Sequence, residues 1–544
     1  TERKHSHSFY LMSNEPLQTE QLPVFTIFKN ETLIIINSSF MAQHNYYVEN
    51  ELGRLRKLLI HSPDGGIGKI IPGTFADNLY DDIVHLNKMQ KEYNHYVKLL
   101  LYFLDPEKAN YINQYQQTAD EEKKSWCYIP GKEEYFNSDK VLDTQQLLAE
   151  IIKDEKVKLR LISAICSYEE SSFAIQQVLE NINDRSLLAK IFITGILPAE
   201  AMGTQEDQYI FPPIPNFIFT RDIGIMVKDH ILLSRMATVA RRRESLLTKF
   251  LSLYYFFKDE PQKVMEIIEE SDFFLYEEEE RKHRIITIEG GDVMMIHPKH
   301  FVIGCSIRTS SSAVNEMVHT LFSKPELGIE KVSVVKIPKN RAQMHIDTIF
   351  TQVKRNVWVL YGRFSERILR AEHISRHSYV NKLSHNPRQL EMEQVEILQF
   401  QKPTNEPYIK TKDYSVSKRL PGIESLLRQI SIEDFGAKPE DVKIIYSGGN
   451  LFPHDEREQW TDSCNVVAIK EGVVIGYDRN DKTADAFKEA GFNVLTTTEA
   501  FEQFENGVDP ETVENTLILL PSAELSRARG GSHCMSMPLL RDKL

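Results

Sequence analysis

Four stretches of this chain repeat one pattern, and that repetition limits the folds open to it more than any other feature. Gly224 to Val227 turns through Lys228, Asp229 and His230 into Ile231 to Leu233, and Val293 to Ile296 turns through residues 297–300 into Phe301 to Ile303. Ile349 to Val353 turns through Lys354, Arg355 and Asn356 into Val357 to Leu360, and Val466 to Ile469 turns through Lys470, Glu471 and Gly472 into Val473 to Ile475. Each is a pair of β-rich runs around a short polar turn, which is how a hairpin reads in sequence. An arginine follows each one: Arg235, Arg308, Arg363 and Arg479. A supersecondary unit used repeatedly around an axis brings equivalent ends together, so residues far apart in sequence converge on one central pocket.

The residues that lead into these hairpins are polar in a consistent way. Asp222 enters the first, Glu289 and Asp292 the second, His345 and Asp347 the third. Between the first strand-like run, Leu55 to Ser62, and Asp222 the texture changes. Leu86, Met89, Tyr93, Tyr96, Leu99 and Leu100 recur at steps of three and four, and Asp143 with Gln146 suggests a capping box ahead of Leu147 and Leu148. Residues 83–205 are therefore expected to form a helical insertion in a catalytic unit spanning 48–544. A second insertion over 370–442 carries Pro403, Pro407 and Pro421 and a short helical pattern near Ile423 to Ile430, and its structure is otherwise open. Residues 1–47 are expected to be a disordered N-terminal extension.

Charge narrows the partners. A net charge of -13 and a pI near 5.8 leave no surplus of Lys and Arg to grip nucleic acid or an anionic membrane surface. The longest obvious apolar run, Leu99 to Leu104, falls far short of the roughly 20 residues a membrane helix needs. Five cysteines (Cys127, Cys166, Cys305, Cys464, Cys534) are odd in number and scattered. They draw no disulfide framework or zinc ribbon, which points to a reducing cytoplasm and a small-molecule substrate.

The chemistry concentrates in a few places. Cys534 follows Arg529-Gly530-Gly531-Ser532-His533, a turn that permits close approach to a ligand and surrounds the thiol with positive charge expected to favour the thiolate. Taken alone, a single cysteine is more often an inert buried apolar residue. His345-Ile346-Asp347 would place an imidazole and a carboxylate on one side of an extended strand. Glu289-Gly290-Gly291-Asp292 offers two carboxylates around a glycine pair, and Phe219-Thr220-Arg221-Asp222 another acidic position. A guanidinium is planar, cationic and rich in donors, so carboxylates on two sides can hold it while a thiolate attacks its central carbon and a histidine moves protons.

From about Glu51 onward the sequence resembles the arginine deiminases of the guanidino-modifying superfamily. The resemblance rests on Pro215 to Asp222, Ala240 to Glu244, Glu289 to Asp292, Arg308-Thr309, His345 to Thr348, Arg457 to Trp460, Tyr477 to Asn480 and Arg529 to Met535, in that order. It implies a mixed α/β fold, a five-fold pseudosymmetric α/β propeller (pentein) with a helical insertion domain. It implies hydrolysis of L-arginine to citrulline and ammonia, with Cys534 as a nucleophile that forms an amidino-thioether and His345 as the acid and base. Asp222 and Asp347 would grip the guanidinium and Glu289 would orient His345. Arg241, Arg308, Arg529 and Asn480 would hold the α-carboxylate, and Asn216, Phe219 and Leu79 would line the rest of the substrate. Self-association into a homo-oligomer is also implied.

Ala528 and Ser532 stand where the family usually has glycine, which bears on the loop carrying Cys534. Neither a metal nor a cofactor is expected: zinc-like His spacing is absent around these motifs, and no phosphate-cradling glycine loop precedes a helix. The alternatives are an agmatine deiminase, an amidinotransferase and a non-catalytic arginine-binding protein. A papain-like protease would share the cysteine and histidine but has no use for two cation-gripping carboxylates.

Overall fold

Five sheets share one connection rule, in which an antiparallel pair of strands is joined on one side by a third strand running parallel. In this computed structural model the described residues are 45–73, 78–202, 205–267, 285–367, 395–403 and 415–544. Gly224–Val227 pairs with His230–Leu233, which takes Val264–Met265 as its parallel neighbour. Val293–His297 pairs with His300–Cys305, and Lys331–Lys336 is parallel to the latter. Phe350–Lys354 and Val357–Leu360 are followed by Lys443–Tyr446, and Val467–Lys470 and Val473–Tyr477 by Thr516–Leu520. The fifth unit joins the two ends of the described chain. Met537–Arg541 runs antiparallel to Leu55–Ile60, which in turn is parallel to Val141–Asp143.

The strands are rich in Val, Ile and Leu and buried on both faces, as strands covered by helices must be. All four predicted hairpins pair as antiparallel strands. Their turns use left-handed backbone where the tight reversal demands it, at Lys228 (φ 54°) and Gly472 (φ 79°).

Residues 86–194 are largely helical. Helix Leu86–Leu104 buries Met89, Tyr93, Tyr96 and Leu100, the stripe that steps of three and four produce. These side chains share a core with Leu58, Ile475 and Ile518 and with Cys534 and Met535, so the helical layer backs the strand ends that carry the cysteine. Tyr96 Oη donates to the Ser532 carbonyl at 3.2 Å. Removing a buried Leu such as Leu100 would cost about 2–5 kcal/mol. Asp143 caps helix Thr144–Ile151 by accepting from the Gln145 N–H, one residue earlier than a capping box would bind.

Within 370–442, strands Glu396–Gln401 and Lys418–Leu420 extend the second sheet, and helix Ile423–Gln429 packs Leu426 and Leu427 in one core with Trp358. Residues 1–44, 370–394 and 404–414, on which other parts of the expected extension and second insertion fall, lie outside the described residues. No described helix is long and apolar enough to cross a membrane.

Candidate active site

The residues singled out in sequence lie at the entrances of the repeated hairpins, and the structure stitches those entrances together. The Arg221 N–H donates to the Cys534 carbonyl at 3.0 Å. The Cys534 N–H donates to Asn465 Oδ1 at 3.0 Å, and Asn465 Nδ2 donates to the Asp347 carbonyl at 3.2 Å. Asn465 therefore ties the cysteine loop to the His345–Asp347 turn. Ser532, standing where glycine was usual, accepts from the Val467 N–H and donates to the Ile475 carbonyl at 2.6 Å, so this departure braces the loop against two strands. Gly531 sits where a Cβ would lie 2.5 Å from the Asn465 carbonyl oxygen, a close approach that only glycine tolerates.

His345 and Asp347 differ from the extended arrangement expected of them. Residues Ile346–Thr348 form a 3-10 turn, because Asp292 Oδ1 accepts the Ile346 N–H at 3.1 Å and Thr348 Oγ1 returns to the His345 carbonyl. Asp292 is thus a brace for this turn, with its other oxygen on the Ser306 hydroxyl at 2.6 Å. Burial pushes its carboxyl up to about 6.

His345 is 1% exposed and flanked by acids, with Glu289 Oε2 3.0 Å from Nε2 and Asp222 Oδ1 3.7 Å from Nδ1. Burial works against the imidazolium, but Asp222, the hydrogen bond to Glu289 and Asp292 outweigh it and lift its pKa to about 9. Glu289 also accepts the Ala237 N–H at 3.0 Å. Burial would raise its carboxyl, yet His345, Arg308 and Arg241 hold it down at about 2.

Cys534 is 4% exposed, and its Sγ stands 3.6 Å from Asp347 Oδ2. The sequence suggested a thiol surrounded by positive charge; the structure corrects this. Burial, then Asp347, Asp222 and Asp462, push the thiol well above its ordinary range. The neighbouring basic side chains point elsewhere: His533 Nδ1 is on Asp347 Oδ2 at 3.0 Å, and the Arg529 guanidinium lies 3.6 Å over the Trp460 ring.

Asp222 Oδ1 and Asp347 Oδ1 are buried with no hydrogen-bond partner among the described residues, and so are Arg308 Nη1 and Arg529 Nε and Nη1. Their ion-pair contacts are long: Asp222 Oδ1 lies 3.7 Å from His345, Arg308 Nη1 3.9 Å from Glu289 and Arg529 Nη1 3.8 Å from Asp81. Such groups are rare in folded proteins because each costs about 1–3 kcal/mol. Together they fit a ligand that is cationic and donor-rich at one end and anionic at the other.

The remaining expected residues are placed as follows. Arg241 Nη1 is on Asp222 Oδ2 at 2.7 Å, its Nε and Nη2 hold Glu244, and Nη2 also reaches the Asn216 carbonyl at 3.2 Å. Asn480 has both ends of its amide on Thr461. Asn216 Nδ2 donates to the Asn78 carbonyl at 2.7 Å. Leu79 has left-handed backbone (φ 63°), and its carbonyl accepts from Arg341. Phe219 lies under Gly530, where a Cβ would strike its ring.

Sequence reasoning passed over Asn465, Arg341, Asp462 and the Glu51–Arg221 pair (2.7 Å, both buried). Asn465 and Asp462 lie just beyond the quoted Arg457-to-Trp460 motif and were within its reach. Glu51 carried no local signal.

Asp222, Glu289 and His345 bring potential metal-ligating atoms within 4.8 Å of one another. Their charges are already committed, however, to Arg241 at 2.7 Å and to the His345 ring. A divalent ion drawing on all three would have to break the Glu289–His345 contact at 3.0 Å or compete with it, whereas an organic cation can use the remaining oxygen of Asp222 and leave that contact in place.

The family model described as arginine deiminase matches residues 133–541. The arginine deiminase of Bacillus cereus is 26% identical over 514 residues, covering 92% of this chain and 99% of its own. That of Mycoplasma capricolum is 26% identical over 507 residues, covering 91% and 97%. Among solved structures, the amidinotransferase SxtG of the saxitoxin biosynthetic pathway from Microseira wollei is similar with a TM-score of 0.43 and 12% identity, covering 92% of this chain and 98% of its own.

Proposed function

The chain belongs to the arginine deiminase family, and from that premise we propose that it hydrolyses L-arginine to citrulline and ammonia through a covalent intermediate on Cys534. The observation that carries this reading is the two-ended site. Asp347 stands beside the thiol with its Oδ2 3.6 Å from Sγ. Buried oxygens of Asp222 and Asp347 and buried donors of Arg308 and Arg529 have no hydrogen-bond partner among the described residues, which supports one group of carboxylates for a cation and another of guanidiniums for an anion.

In this reading the substrate guanidinium settles between Asp222 and Asp347 and neutralises the charges that hold the Cys534 thiol up, so the thiol gives its proton to solvent as the cation arrives and the thiolate forms. Cys534 Sγ then bonds to the guanidinium carbon. His345, protonated because its pKa is raised to about 9, gives its proton to the departing nitrogen, and ammonia leaves. Neutral His345 next takes a proton from water. The hydroxide adds to the same carbon, the C–S bond breaks as the added hydroxyl gives its proton to solvent, and citrulline leaves with the thiolate restored. Glu289 keeps His345 oriented through both halves.

Arg308 and Arg529 take the α-carboxylate. Arg241, which holds Asp222 and Glu244 in this structure, is assigned to the same carboxylate. Asn480 acts through Thr461, and Asn216, Phe219 and Leu79 line the passage. The five sheets with a common connection rule support a five-fold propeller with residues 83–205 as its helical insertion. Five buried free cysteines fit a reducing cytoplasm.

The test is to incubate the protein with L-arginine, expecting citrulline and ammonia in equal amounts and a mass increase on Cys534 when the reaction is quenched with acid. Amidino transfer to an added amine, with ornithine released in place of citrulline, would favour an amidinotransferase. Equal turnover of agmatine would remove the α-carboxylate assignment.

A further inference from the structure

The carboxylate nearest the nucleophile is itself held by a group that the reaction scheme leaves unused. Asp347 is fully buried, and its Oδ2 accepts from His533 Nδ1 at 3.0 Å while its Oδ1 has no hydrogen-bond partner among the described residues. The far nitrogen of the same ring, Nε2, lies 3.5 Å from Glu51 Oε2. Glu51 Oε1 in turn receives Arg221 Nη2 at 2.7 Å, and that nitrogen also donates to the Val293 carbonyl at 2.7 Å. Arg221, Glu51, His533 and Asp347 are each no more than 6% exposed, so water does not compete along the row.

We propose that His533 is a positioning residue for the cation grip: it holds one oxygen of Asp347 so that the other faces the substrate guanidinium, while Glu51 and Arg221 fix the ring. The terminal torsion of an aspartate is soft, so one hydrogen bond from a fixed ring decides the plane of the carboxylate. A planar guanidinium is held well only by a carboxylate whose plane is set to meet it. The row also explains why His533 precedes Cys534 directly: the ring that sets the carboxylate and the thiol that attacks beside it move as one loop. This inference rests on the reading of Asp347 as a cation grip.

The two are separated by comparing how fast Cys534 is alkylated by 2-chloroacetamidine, a planar cation, and by 2-chloroacetamide, its neutral counterpart. The wild-type protein is expected to react much faster with the cation. His533→Ala should cut that preference by about tenfold or more, the scale of one hydrogen bond to a charged group. His533→Asn, whose Nδ2 stands close to the imidazole Nδ1 position, should keep it within about threefold. A merely structural role would slow both reagents together and leave their ratio alone. If the alanine variant does not fold, His533→Leu supplies the donor-free side chain. A wild-type protein without preference for the cation removes the grip reading and this inference with it. A preference that survives loss of the donor, or that asparagine fails to keep, overturns the role of His533 alone.

Discussion

Cys534 Sγ and Asp347 Oδ2 stand 3.6 Å apart, both residues buried. A thiolate and a carboxylate at that separation repel strongly where the effective dielectric is low. The free protein therefore keeps this thiol protonated, and in the proposed mechanism a bound cation changes its state.

Asp347→Asn removes that repulsion. Alkylation of Cys534 by neutral iodoacetamide near pH 8 should rise by about tenfold, one pKa unit, while kcat/KM for arginine collapses because half the grip is lost. Cys534→Ala should abolish turnover and still bind arginine, since the carboxylates remain. The pH dependence of alkylation and a binding titration measure these effects. Unaltered alkylation in Asp347→Asn would show that the carboxylate does not control the thiol.

The acid step needs a protonated His345, whose pKa is raised to about 9. The pH profile of kcat/KM, which reports the free enzyme, should hold through neutral pH and fall as pH rises through about 9. The same raised pKa contributes folding stability that is full below the unfolded value of about 6.5 and is lost as pH rises toward 9. His345→Ala should lower kcat by about a hundredfold or more and flatten the alkaline limb. A limb that persists in the variant belongs to another group.

Arg308→Leu should raise KM for arginine strongly and narrow its lead over agmatine, because fewer buried cations are stranded by a substrate lacking the carboxylate. Lysine at that position keeps the charge without the fork and should fall between. Measuring kcat/KM for both substrates in the three proteins settles the point, and an unmoved ratio reassigns Arg308.

Gly291 lies where a Cβ would approach His345 Nδ1 to 2.5 Å. Gly291→Ala should therefore displace the imidazole and lower kcat by about tenfold or more, with a smaller effect on thermal stability. Near-normal kcat in a folded variant would show that the ring has room to yield.

How much of this was legible in the sequence depends on the distance over which each feature acts. The hairpins are local, so alternating apolar runs and turn residues at Lys228 and Gly472 sufficed to find them. The short motifs around Asp222, Glu289, His345 and Cys534 carry their own residue identities, and these meet in one site. What the sequence misread was environment. Positive residues beside Cys534 in the chain suggested a thiolate, but in space His533 turns to Asp347 and Arg529 to Trp460, leaving the thiol among carboxylates. Glu51 and His533 are hundreds of positions apart, and no periodicity links them. The 3-10 turn at Ile346–Thr348 was hidden for the same reason, since it is imposed by Asp292 from another hairpin.

The pairing of Leu55–Ile60 with Met537–Arg541 also bears on how the protein comes into being. Closing a loop of that length carries an entropic cost that no early local contact offsets. A chain made from its N-terminus holds Asp222, Glu289 and His345 long before Cys534 and the strand Met537–Arg541 that follows it exist. On the proposed reading of Cys534, the growing polypeptide stays chemically silent until that strand reaches Leu55–Ile60.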